Sequence, residues 1–280
     1  MSSPAPTIRL DLESRPQTLT IVRGMLGGVA ELLSLDPELL DDLKTAVSEA
    51  CNNVVLHAYG DRPGPMLVNL FVDPARIHVT VADHGFGLPS GAQPFDGAEG
   101  IGLSVIRALA DEVSFASAAG GGTVIRMDFA ARRDGALLFE APTEAGPDAP
   151  WPRAGPGEVL VSLSPVTLLT GVLGRLARTL AATAHFSLDR FSDVYLVTDT
   201  LAAHAAWAAS GPRLWACLTA QERRLEITLG PFRTGTADLL RAQAPDRGDS
   251  PLVLLSDSVA AQPAGSDELL HVVMLDRRRL

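Results

Sequence analysis

Cysteine is scarce in this chain: two residues in 280, Cys51 and Cys217, both in apolar surroundings and neither in a metal-ligand spacing. That excludes a disulfide framework and a zinc ribbon, and it reads as a reduced, cytoplasmic protein. The six histidines form no paired cluster. Positive charge is also in deficit, with 23 Lys and Arg against 33 Asp and Glu, a net charge of −10 and a pI near 5.0. A nucleic-acid partner would require a basic patch or stripe. The local clusters, Arg126 to Arg133 and Arg277 to Arg279, sit at expected strand ends and read as solvated. Long apolar runs are absent too, because the best membrane candidate, Val166 to Ala184, is interrupted by Arg175 and Arg178. Met1 to Leu10 carries neither the basic nor the apolar block of a secretory signal. What the chain does have is 46% hydrophobic residues, enough for real cores rather than disorder.

Ile8, Leu10 and Leu12 alternate with polar residues, the period of a half-buried strand. Helical spacing follows through Leu19 to Leu33. At Leu35-Asp36-Pro37-Glu38 the chain restarts as a second helix, with Asp36 as N-cap and Pro37 at the first helical position, running to about Ala58. Strands are expected at Met66–Val72 and Arg76–Ala82, joined by Asp73-Pro74-Ala75. Residues 88–99 read as a Pro- and Gly-rich loop, 102–112 as a helix and 123–129 as a closing strand. Residues 132–158 hold five prolines and read as a linker. Three segments follow: a first domain at 1–131, the linker at 132–158 and a second domain at 159–280.

The second domain looks like a repeat of the first. Val159, Val161 and Leu163 match Ile8, Leu10 and Leu12 at an offset of 151. Val197-Thr198-Asp199 matches Val47-Ser48-Glu49 at 150, Leu225–Leu229 matches Ile77–Val81 at 148, and Val272-Val273 matches Val124-Ile125 at 148. Period and element order agree as well as residue type, which shared composition alone would not produce.

Three stretches carry chemistry. Glu49 and Asn53 lie four apart on the second helix and share one face. A carboxylate there can take a proton from an attacking hydroxyl, and an amide oxygen can ligate a Mg²⁺ that otherwise keeps water and phosphate oxygens. The bland alternative is a solvated polar face, yet consecutive Asn52 and Asn53 inside a helix are unfavourable, the kind of local violation functional sites produce. Asp83 follows an apolar strand, with Gly85 and Gly87 just beyond it, so a flat ring could approach the backbone and offer an amino group to the carboxylate. Alone, this is also an ordinary Asp-x-Gly turn. Gly100-Ile101-Gly102 opens a helix whose free N–H groups could meet a phosphate. It is neither a P-loop nor a dinucleotide fingerprint. Thr123, after Gly120-Gly121-Gly122, would lie beside Asp83 if their strands are neighbours.

In this order the stretches resemble the N, G1 and G2 boxes and closing Gly-Thr of the GHKL (Bergerat-fold) ATPases. Ser48-Glu49-Ala50-Cys51-Asn52-Asn53-Val54-Val55-Leu56-His57-Ala58-Tyr59 is similar to the N box of the anti-sigma factor serine/threonine kinases within that superfamily, and Ala110-Asp111-Glu112-Val113 to their usual helix end. The likeness covers about residues 7–130. It implies an α/β (α+β) two-layer sandwich, a mixed sheet with helices on one face, holding ATP and Mg²⁺. Glu49 would be the general base, Asn53 the Mg²⁺ ligand and Asp83 the adenine reader assisted by Thr123, while Gly85, Gly87, Gly100 and Gly102 would shape the lid and phosphate site. The partners implied are an anti-anti-sigma (STAS-domain) protein, phosphorylated on a hydroxyl residue, and a sigma factor, sequestered in alternation.

Two departures qualify that expectation. Where many members carry a basic residue before the second glycine pair, this chain reads Asp96-Gly97-Ala98-Glu99, and the nearest base is Arg107. Phosphoryl transfer leans on positioned positive charge, so a non-catalytic ATP-binding switch and a pure interaction scaffold are the alternatives. In the second domain the alignment sets Asn53 against Ala203, Glu49 against Asp199, Asp83 against Pro231 and Gly85 against Arg233. That implies a tandem repeat with a degenerate copy that folds without ATP, and an intramolecular pseudo-dimer or homodimer.

Overall fold

Strand β1 (Ile8–Glu13) puts Ile8, Leu10 and Leu12 in the core, as its alternation requires. In the computed structural model, which describes residues 5–73, 75–87, 101–118, 121–131, 152–241 and 250–277, the chain divides into two compact units, Met1–Pro156 and Gly157–Leu280.

The first unit continues with α1 (Thr18–Leu32) and α2 (Pro37–Asn53), then β2 (Pro65–Val72) and β3 (Arg76–Asp83). It closes with α3 (Ile101–Leu109), β4 (Glu112–Ser117) and β5 (Thr123–Ala130). Asp36 caps α2 as expected, its Oδ1 accepting from the N–H groups of Glu38 and Leu39 at 2.8 and 3.3 Å. The helix ends earlier than its periodicity suggests, because Val54–Ala58 widens into a single π turn. The strand order is β4-β5-β3-β2-β1. Every pairing among them is antiparallel, so the mixed sheet implied by the resemblance is replaced by an antiparallel one. Strand β4 was absent from the expected elements: the helix was run to 112, whereas it stops at Leu109 and the chain turns into the sheet. Met25, Val29, Ala46, Val47, Ala50 and Cys51 from the helices meet Val68, Val79, Val81 and Met127 from the sheet in one core. Each fully buried aliphatic of this size contributes about 1.5–3 kcal/mol.

The second unit runs β6 (Glu158–Leu163), α4 (Leu169–Thr183), α5 (Leu188–Ala208), β7 (Leu214–Gln221) and β8 (Arg224–Arg233). Then come α6 (Thr236–Arg241), α7 (Pro251–Leu255), β9 (Ser258–Ala264) and β10 (Asp267–Leu275). Its strand order is β6-β7-β8-β10-β9, again antiparallel. Asp276 Oδ2 accepts from Ser187 N at 2.7 Å and fixes the start of α5. Arg190 binds the carbonyls of Leu275 and Leu255 and the carboxylates of Asp193 and Asp257 at 2.8–3.0 Å.

Burial and pairing give registers that differ in two places from the sequence alignment. Ser34 and His185, 151 residues apart, both follow a helix with positive φ, and the buried positions Leu43, Ala46, Val47, Ala50 and Cys51 recur in α5 as Val194, Val197, Thr198, Leu201 and Ala202 at the same offset. Aligned on these buried positions, the helices match at 151 rather than 150, which sets Glu49 against Thr200 and Asn53 against His204. Val81 pairs with Ile125 and Leu229 with Leu270, so the last strand matches at 145 rather than 148. Among the described residues no helix is long and apolar enough to cross a membrane.

Candidate functional site

Helix α2 buries one stripe and leaves the opposite flank half-buried, and that flank carries Glu49 and Asn53. The first turn of α3 lies across them. A Cβ placed on Gly102 would stand 2.8 Å from Glu49 Oε2 and 3.6 Å from Asn53 Oδ1, so any side chain at 102 would invade the space over both groups. Among the described residues, Asn53 Nδ2 is buried and has no hydrogen-bond partner. Such an orphan costs about 1–3 kcal/mol, a price a structural helix position could avoid with alanine.

Asp83 ends β3 with 3% exposure, and its Oδ1 accepts from Gly85 N at 2.8 Å. Strands β3 and β5 are neighbours: Ala82 pairs with Val124, which makes Asp83 and Thr123 the next residues in register. Both continue the core-facing alternation, Asp83 after Val79 and Val81, Thr123 before Ile125 and Met127. Glycine is required here by close approach. A Cβ on Gly85 would lie 1.9 Å from the carbonyl oxygen of Ala58, and one on Gly122, at φ +89°, 2.2 Å from that of Asp83. Gly87 stacks on Gly122 in turn, its Cβ position 3.3 Å from the Gly122 carbonyl. The result is a side-chain-free floor of closely packed backbone beside a buried carboxylate.

Of the sequence-derived residues, Glu49, Asn53 and Gly102 converge, and Asp83, Gly85, Gly87 and Thr123 form a second group on β3, β5 and the glycine loops. Gly100, Gly120 and the acidic run 96–99 lie outside the described residues. Arg107 does not stand ready for a phosphate: its guanidinium lies over the Phe115 ring, 5.8 Å from the centroid. Cys51, within the same helix, is fully buried and its thiol is pushed up to about 12 by burial, which makes it inert at neutral pH. Among the described residues no group of three or more His, Cys, Asp or Glu could hold a metal ion. A cation at Asn53 would take its other ligands from phosphate and water. Two residues escaped the sequence reading. Arg23 of α1 donates from Nη1 to Ser48 Oγ at 3.2 Å, one position from Glu49. Tyr59 ends the stretch already singled out at 48–59, and its hydroxyl contacts the loop after Asp83.

Residues 12–129 match the family model of the histidine kinase-like ATPase domain. Serine-protein kinase RsbW of Bacillus velezensis is 34% identical over 134 residues, covering 43% of this chain and 84% of the relative. Anti-sigma F factor of a Thermoanaerobacter species (strain X514) is 30% identical over 129 residues, covering 43% of this chain and 90% of the relative. A solved structure of the RsbU and RsbW domains of a Mycobacterium tuberculosis protein matches with 22% identity and a TM-score of 0.35, over 47% of this chain and 34% of that one. The second unit lies beyond the end of the matched family model.

Proposed function

Because the chain belongs to the anti-sigma factor serine-protein kinase family of the histidine kinase-like (GHKL) ATPases, we propose that its first unit binds Mg·ATP and phosphorylates a serine or threonine of an anti-anti-sigma (STAS-domain) partner, sequestering a sigma factor in alternation. The observation that carries this reading is the convergence of Glu49, Asn53 and Gly102 around a buried, unpaired amide. The donor set fits the cofactor: Asn53 offers one hard oxygen for Mg²⁺, and its orphan Nδ2 can donate to a phosphate oxygen. Bound Mg²⁺ would supply charge neutralisation at the phosphates. Glu49 accepts the proton of the partner's hydroxyl as its oxygen bonds to the γ-phosphorus and the bond to the β-phosphate oxygen breaks, releasing ADP. Asp83, with Thr123 beside it in register, accepts from the adenine amino group over the glycine floor.

A second reading, an ATP-binding switch without phosphoryl transfer, is favoured by the engagement of Arg107 with Phe115, which withholds the one helix α3 cation from the phosphates. We further propose that the second unit is a degenerate copy of the first. The equivalent strand order and the shared offset of 151 across both helices support this. At the corresponding positions Thr200, His204, Pro231 and Arg233 offer neither the general base, the Mg²⁺ ligand nor the adenine acceptor. The test is calorimetry with Mg·ATP on the wild type and Asn53→Ala, followed by transfer from labelled ATP to a co-purified STAS protein. One site per chain, lost in Asn53→Ala, with transfer lost in Glu49→Gln, is the expected result. Binding without transfer in the wild type would leave the switch, and no binding would leave an interaction scaffold.

A further inference from the structure

We propose that Tyr59 is a positioning residue for nucleobase selection, its hydroxyl clamping the loop that aims the Asp83 carboxylate; this rests on the nucleotide-binding reading above. Three consecutive backbone donors follow Asp83, and each has a separate acceptor. His84 N donates to the Tyr59 hydroxyl at 2.7 Å, Gly85 N to Asp83 Oδ1 at 2.8 Å and Phe86 N to the Ala58 carbonyl at 2.9 Å. The middle bond consumes one oxygen of Asp83 and fixes the plane of its carboxylate. Oδ2 is left as the acceptor for a ligand amino group. Where that oxygen points therefore depends on where Gly85 N sits, and the bonds on either side of Gly85 hold it there.

The Ala58 side of the clamp is built into the backbone, with Gly85 pressed so close that no Cβ fits. The His84 side depends on one side chain. Tyr59 donates its own proton to the Pro65 carbonyl at 2.5 Å, which turns an oxygen lone pair toward His84 N. Burial pushes the phenol above its ordinary value, so the hydroxyl keeps the proton it must donate. The ring lies flat against Gly64, where a Cβ would come within 2.3 Å of it. Gly64 is itself tied to the end of β1, donating to Ser14 Oγ at 3.0 Å and accepting from Ser14 N at 2.8 Å. Tyr59 thus carries the position of the β1–β2 frame to the adenine-facing loop.

Tyr59→Phe keeps the ring and its packing on Gly64 and deletes the hydroxyl, with its bonds to His84 N and the Pro65 carbonyl. The full-length chain would be titrated with Mg·ATP and with Mg·purine riboside triphosphate, which lacks the 6-amino group. The wild type should prefer ATP by about tenfold or more, the usual value of a hydrogen bond to a charged group. In Tyr59→Phe the preference should fall below about threefold, through weaker ATP binding with purine riboside triphosphate affinity unchanged. Equal losses for both nucleotides, with the preference kept, would make Tyr59 a structural residue only and overturn the proposal. A wild type that binds neither nucleotide would instead sink the nucleotide-binding reading and this proposal with it. Hydrogen exchange at His84 reads the clamp without ligand: its amide should exchange about tenfold faster in Tyr59→Phe, and equal protection in both proteins would overturn the proposal independently.

Discussion

Replacing Asn53 with alanine should make the first unit more stable while abolishing its response to nucleotide. Among the described residues the buried Nδ2 has no partner, and removing it relieves about 1–3 kcal/mol. Alanine in place of asparagine near a helix end adds roughly 0.5 kcal/mol more through propensity. Against this stands the lost packing of a short, half-buried side chain, on the order of 1 kcal/mol. The net gain is about 0.5–2.5 kcal/mol, or roughly 2–12 °C for a unit of this size. Conversely, saturating Mg·ATP at a hundred times its dissociation constant should stabilise the wild type by about 2.7 kcal/mol and the variant not at all. The order of stability therefore inverts with ligand. Trp207 and Trp215 lie in the second unit and Trp151 at the end of the first, so tryptophan fluorescence does not report the first unit by itself. Hydrogen exchange of α2 peptides is the assay. An Asn53→Ala protein less stable than wild type without nucleotide would show that the amide is satisfied and refute the reasoning.

Gly102→Ala should leave stability within about 0.5 kcal/mol, because the conflicting atom is the flexible end of Glu49, yet lower phosphoryl transfer at least about tenfold, measured with labelled ATP. Gly85→Ala meets the Ala58 backbone instead and should cost more than about 2 kcal/mol by urea denaturation, with nucleotide binding lost. Arg190→Ala leaves two carbonyls and two carboxylates without their shared donor and should lower the tryptophan-reported transition by about 2–4 kcal/mol while sparing Mg·ATP binding. Asp73 sits below the ordinary 3.8: burial alone would raise it, but donors at Ala75 N, Arg76 N and His78 more than offset that. A depressed carboxylate stabilises the fold above its unfolded value and loses that contribution as pH falls through the folded one. The destabilisation caused by Asp73→Ala should therefore be full at pH 6 and fade below about pH 4 in pH-dependent urea melts.

The features legible in the sequence were those set by local chemistry. Asp36-Pro37 marked a helix start because cap and N1 preferences act within one turn, and the alternation of Ile8, Leu10 and Leu12 marked β1 because one face is buried. Strand β4 was missed for the converse reason: it is an edge strand with no fully buried residue, so Val113 and Phe115 give only a weak period-2 signal. The π turn at Val54–Ala58 was invisible because one extra residue per turn leaves no compositional trace. The candidate site residues stand in separate short motifs that the sequence shows, whereas the contacts around Asp83 do not, since Tyr59, Gly64 and His84 meet only through tertiary contact.

Aligning the two units on burial shifts the helix match from 150 to 151. Val47-Ser48-Glu49 and Val197-Thr198-Asp199 look alike in residue type, but burial follows the core, and Val47 shares its buried position with Thr198. On the corrected register no acidic survivor faces Glu49. The positions that would carry ATP chemistry are instead internally satisfied. Thr200 Oγ1 donates to the Leu196 carbonyl and His204 Nδ1 contacts the Thr200 carbonyl, both at 2.7 Å. Glu268 accepts from Gly235 N and Ala237 N at 3.1 and 2.7 Å and caps α6 with its own carboxylate. At the matching place in the first unit an amide is left without a partner; here the polar groups close on one another. An unpaired buried donor gains free energy from a ligand acceptor that reaches it, whereas donors already bonded gain little from one. On the degenerate-copy proposal Mg·ATP should accordingly leave the hydrogen exchange of α5 peptides unmoved, and a ligand-dependent rise in their protection would show that the second unit binds nucleotide.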